Sequence, residues 1–142
     1  MDKLFNFKFS QLTSREQIVT VLAFLTGLLH LIYGLTDLRY AGGMLDYMFI
    51  ANFAGNIVLI TMLYFMPILD PYQNQINWVF ILYTLSSIVA YFIVYYPLGL
   101  NALLIPSGLF DKLLETFLLI FLIMDRPLED PTKYRSEHSV AN

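Results

Sequence analysis

Two stretches of this chain leave little choice of solvent. No Asp, Glu, Lys or Arg occurs between Asp70 and Asp111, and the nineteen residues from Ile18 to Thr36 also carry no formal charge. At about 1.5 Å of rise per residue, a helix of that length nearly matches the ~30 Å hydrocarbon core of a bilayer. The whole chain agrees, since 58% of its 142 residues are hydrophobic and 13% are charged. Ordinary soluble domains carry roughly 25% charged residues. The expected fold class is therefore all-α, a polytopic membrane protein with four transmembrane helices in a small bundle.

Punctuation along the chain places the spans. Thr13-Ser14-Arg15-Glu16 fits a capping box, with Thr13 as N-cap and Glu16 returning to its amide. The first span is expected at about 16–37. It is too long for a signal-peptide core, and no A-x-A-like site follows it, so it is read as retained. Asp37 to Gly43 is a short polar turn, and the second span runs over about 44–66, with Asp46 at its start and Pro67 at its end. Asp70 to Gln75 reads as a turn by its Pro and amide content. The third span, about 76–96, opens on Trp78 and closes on Tyr95-Tyr96, as an interfacial aromatic belt would. PLGLNALLIP, from Pro97 to Pro106, is too apolar for a free aqueous loop and too broken for a helix. It belongs in the interface, re-enters the membrane, or is covered by another protein. Ser107 is the expected cap of a fourth span at about 107–124. Its uninterrupted apolar part, Thr116 to Met124, is too short to cross alone, so spanning sets Asp111, Lys112 or Glu115 at or inside the outer boundary.

Orientation follows from the cations. Six of eight Lys and Arg lie in the tails, 1–15 and 125–142, while Arg39 and Lys112 fall on the other side. The positive-inside rule puts both tails in the cytoplasm and the protein in the plasma membrane as a multi-pass chain. A net charge of −3 gives no basic footprint, so nucleic acid is excluded as a partner. The absence of Cys removes disulfides, thiolate metal sites and Cys nucleophiles. No Walker, G-x-S-x-G or H-E-x-x-H motif is present. Ser86-Ser87 has no base near it in sequence, and His138 lies in the polar tail. No catalytic constellation or cofactor is expected.

The polar residues inside the spans fall at helical spacing. Ala23, Thr26, Gly27, His30, Tyr33, Gly34 and Asp37 share one face of the first span. Ala51, Asn52, Gly55 and Asn56 do so on the second, and Tyr83, Ser87, Ala90 and Tyr91 on the third. Small residues let helices approach closely, so Gly27, Gly34, Ala51, Gly55, Asn56 and Ser87 are candidate helix-packing positions. With both tails inside, His30, Asn52, Asp111 and Glu115 collect toward the outer leaflet. Such a cluster can be a satisfied polar network that fixes register. It can also hold a divalent metal, relay protons through His30, or bind a quinone or a polar lipid headgroup. The spacing selects none of these, and no metal site is assigned.

TGLLHLIYGLTDL followed by ANFAGNIVLITMLY resembles small four-helix membrane proteins of the DoxX-like kind, over roughly residues 16–124. In style the chain also resembles the small membrane subunits that accompany archaeal ammonia monooxygenase. The likeness is one of layout, and no functional residue carries over. With 16% aromatic residues and a thin bundle, much of the surface must face lipid or other subunits. The leading expectation is a non-catalytic accessory subunit of a larger integral-membrane complex of respiratory or oxidative, monooxygenase-like type. Its partners would be other membrane subunits and lipids, with a homo-oligomer allowed. The alternatives are a membrane binding module for lipid, quinone or metal at the outer polar cluster, and a DoxX-like redox partner.

Overall fold

The computed structural model describes residues 12–38, 43–99 and 104–125. Four α-helices account for most of them: α1 (Ser14–Leu38), α2 (Met44–Tyr64), α3 (Gln73–Tyr95) and α4 (Pro106–Met124). Three segments, Ser14–Thr36, Leu45–Tyr64 and Pro67–Tyr95, are long and apolar enough to cross a membrane. The N-terminal capping box forms as its sequence implies. Glu16 Oε2 accepts from the Thr13 amide at 2.6 Å, and the Glu16 amide points back to Thr13 Oγ1 at 3.4 Å. At the start of α2, Asp46 Oδ2 takes the Gly43 amide at 2.6 Å.

Two local expectations are corrected. Ser107 does not cap the fourth helix. Ile105 stands at the N-cap and Pro106 at the first helical position, where its missing N–H would be unpaired anyway and its fixed φ suits the helix. The expected turn at 70–75 is instead a 3-10 helix over Pro67–Tyr72 that runs directly into α3. Pro67 and Pro71 both hold φ near helical values, so these prolines continue the chain in helical sense. The PLGLNALLIP segment begins with a 3-10 turn at Tyr96–Leu98, and Gly99 then takes φ 93°. The expectations for the two tails and for the polar turn at 39–42 lie outside the described residues.

α1 packs along α2, and α4 lies against both α1 and α3. Val19, Ala23, Ile60, Leu63, Phe80, Leu118 and Leu122 form the apolar core. These residues come from the beginning of α1, the end of α2, the beginning of α3 and the end of α4, so the core closes one end of the bundle. Hydrogen bonds tie the same end: Tyr64 Oη donates to Asp125 Oδ2 at 2.5 Å, and Asn77 Nδ2 to the Leu122 carbonyl at 3.3 Å. The outward faces remain apolar, with Val21, Phe24, Ile32, Val58, Leu82, Phe92, Leu113 and Phe117 all exposed. In water these faces would be an aggregation surface; in a bilayer they match the solvent.

Candidate functional site

The other half of the bundle is polar inside. The face expected on α1 does point inward, since Ala23, Thr26 and His30 are buried, and Gly27 and Gly34 are covered by α2. A Cβ on Gly27 would lie 3.2 Å from the Phe53 ring, and one on Gly34 would lie 2.8 Å from the Asp46 carbonyl. Close approach of α1 and α2 therefore rests on these two glycines. Ala51 is exposed and lines a cleft, and Asn56 turns back along its own helix, giving its amide protons to Asn52 O and Oδ1.

Asp111 and Glu115 sit one turn apart on the inner face of α4, with Leu118 and Leu122 continuing the stripe toward the apolar core. His30 of α1 faces both, with Nδ1 3.5 Å from Asp111 Oδ1 and Nε2 3.5 Å from Glu115 Oε1. Sequence reasoning brought His30, Asp111 and Glu115 together correctly. It missed the cation between the carboxylates. Lys112 Nζ lies 2.6 Å from Glu115 Oε2 and 3.1 Å from Asp111 Oδ2. The signal was present as an i,i+3 Lys–Glu pair beside an Asp. Asn52 enters through an intermediary: Asn52 Nδ2 donates to Ser87 Oγ at 2.8 Å, and Ser87 Oγ donates to Glu115 Oε1 at 2.7 Å. Ser87, read as a packing position, is thus a link that joins α2 and α3 to α4.

His30, Asp111 and Glu115 offer ligand atoms within 4.8 Å of one another. Lys112 Nζ holds Asp111 Oδ2 and Glu115 Oε2, while the oxygens that face His30 are Oδ1 and Oε1.

A cleft of about 370 Å³ opens between α2 and α3 beside the cluster. His30, Asn52, Ser87 and Lys112 form its polar wall, while Met48, Phe49, Tyr83, Tyr91 and Tyr95 supply apolar and aromatic surface. Its depth is set by Tyr83, whose hydroxyl donates to the Asn52 carbonyl at 3.2 Å and packs against Gly55, where any side chain would collide with it. Tyr91 holds Lys112 from above, with Nζ 5.4 Å from the ring centroid. Gly108 leaves room for that ring, since a Cβ there would stand 2.6 Å from Tyr91 Oη. A second cavity of about 250 Å³ lies where α4 begins, lined by Tyr33, Ser107, Gly108, Asp111 and Lys112. Tyr91 and Lys112 border both spaces.

Comparison of the chain with protein-family models, curated proteins and solved structures gives no match.

Proposed function

We propose that this protein is a membrane-embedded binding module for a neutral amphiphile with a planar, carbonyl-bearing head of the quinone class, seated in the α2–α3 cleft. The carrying observation is the cleft itself: an apolar, aromatic-lined space that ends on hydrogen-bonding side chains. Such a lining is the ordinary design of small-molecule sites. Its volume suits a ring-sized head and is too small for a whole lipid, so the tail would leave sideways into the bilayer. Charge argues against an anionic headgroup. One ammonium stands among two carboxylates, so a phosphate would meet net repulsion, whereas a neutral carbonyl can accept from Lys112.

In this reading α4 is the fourth span and both tails are cytoplasmic. Three charges count against α4 in any hydropathy sum, but Asp111, Lys112 and Glu115 are all buried against the other helices. Lipid would meet Leu109, Leu113, Phe117 and Ile120 instead. Nineteen residues of helix are about the length a bilayer core requires. The accessory-subunit expectation has no geometric feature of its own, because the exposed apolar faces suit lipid as well as a partner. The DoxX-like layout adds no residue to the case.

The test is saturable binding of a short-chain ubiquinone to the protein in lipid nanodiscs, compared with Ala90→Phe, which fills the cleft and leaves every charged residue in place. Binding in the wild type that is lost in Ala90→Phe supports the reading. Absence of saturable binding, or equal binding in the two proteins, overturns it.

A further inference from the structure

We propose that His30, Asp111 and Glu115 hold one exchangeable proton beside the cleft, seated on His30 Nε2 against Glu115. As a service to the cleft's occupant, this rests on the binding reading above; as a property of the cluster, it stands alone.

Charge counting comes first. The buried groups include two carboxylates and one ammonium, which leaves one negative charge uncompensated unless a further proton is bound. An unpaired charge in the bilayer interior is costly, and ionisable groups there are found paired. The ionisable neighbours are few. On α1 they are His30 and Tyr33; on α3, Tyr83, Tyr91 and Tyr95; on α4, Asp111, Lys112 and Glu115. α2 contributes only neutral Asn52 and Phe49 here, since Asp46 is engaged with the Gly43 amide.

Geometry then locates the proton. His30 Nδ1 is 2.9 Å from the Thr26 carbonyl, an acceptor, so Nδ1 carries hydrogen and donates to it. A neutral ring would then turn the lone pair of Nε2 toward Glu115 Oε1, two acceptors facing each other at 3.5 Å. A proton on Nε2 turns that opposition into a charge-assisted contact and makes the Asp111–Lys112–Glu115–His30 group neutral. His30 also borders the cleft, so this proton is available to a carbonyl bound there.

Of the three proton-holding residues, Asp111 borders the second cavity, at the end of the bundle where α4 begins. Its Oδ2 is held by Lys112, while its buried Oδ1 has no hydrogen-bond partner among the described residues and faces the imidazole. An orphaned carboxylate oxygen of this kind is expected to have a role beyond packing.

The experiment is nitrogen NMR of ring-labelled histidine in the ligand-free full-length chain in nanodiscs, with His138→Gln leaving His30 as the single imidazole. Both ring nitrogens should carry hydrogen at neutral pH, and Glu115→Gln should lower the protonated fraction at Nε2. An unprotonated Nε2 at neutral and mildly acidic pH overturns the proposal. Should Glu115→Gln fail to fold, the wild-type spectrum decides. These results concern the empty protein, so a failure of quinone binding with a protonated Nε2 would remove the binding reading alone.

Discussion

Ser87 on α3 gives its hydroxyl proton to Glu115 Oε1 on α4 across 2.7 Å, and accepts in turn from Asn52 on α2. Three helices are thereby joined by one hydroxyl, next to the cleft where α2 and α3 stand apart. Ser87→Ala removes the donor of a buried carboxylate and the acceptor of an amide at once. It should destabilise the bundle by about 1–2 kcal/mol, read as a lower thermal midpoint in detergent, and Ser87→Thr should restore most of the loss.

The α1–α2 seam should rank its glycines by what an added methyl meets. At Gly34 the obstacle is the Asp46 carbonyl, which belongs to the backbone, whereas at Gly27 it is the edge of the Phe53 ring, which can tilt. Gly34→Ala should therefore cost about 1–3 kcal/mol, as overpacking usually does, and Gly27→Ala clearly less. Unfolding in a mild denaturing detergent compares the two.

Lys112 acts as the resident cation of the cluster. Lys112→Ala leaves two buried carboxylates without their ammonium, a change expected to cost about 3–5 kcal/mol. It also frees Asp111 Oδ2 and Glu115 Oε2 beside His30. Manganese or zinc should then raise the thermal midpoint of Lys112→Ala more than that of the wild type, because the variant lacks the competing ammonium and a ligand that binds only the folded state stabilises it.

Asp125, just beyond the end of α4, gives a pH signature. Partial burial holds its carboxyl above the usual carboxylate range, and the hydrogen bond from Tyr64 opposes that shift. The folded chain thus keeps this proton to higher pH than the unfolded chain. The side chain costs no stability in acid and detracts from it as pH rises past the ordinary Asp value. Asp125→Asn, which keeps an acceptor for Tyr64, should raise the midpoint at neutral pH, and the difference should vanish below about pH 4. Thermal scans at the two pH values suffice.

Much of the bundle was legible in the sequence because membrane helices are written in long uncharged runs with short polar breaks. The bounds of α1 and α2, the Thr13–Glu16 cap and the inward face at Thr26, Gly27 and His30 all follow from charge and spacing. Ser107 misled because a capping residue beside Pro106 yields to the proline's preference for the first helical position. Pro71 misled for a related reason, since a proline that breaks an α-helix is at home in a 3-10 turn. At the site, His30, Asp111 and Glu115 could be grouped by depth alone. Lys112 could not be assigned, because a lysine near a boundary can as well snorkel to water, and only the tertiary fold shows it turned inward. The cleft was also hidden: it depends on how far α2 and α3 stand apart, and Tyr83 settling on Gly55 is a contact between positions far apart in sequence.

The most direct test of the central claim is where a quinone lands. A photoreactive short-chain ubiquinone, activated on the protein in nanodiscs and mapped by mass spectrometry, should label Met48, Tyr83, Tyr91 or Tyr95 in the cleft, and unlabelled short-chain ubiquinone should compete the label away. Label spread over the outward faces at Phe24, Ile32 or Phe117, insensitive to competition, would contradict it.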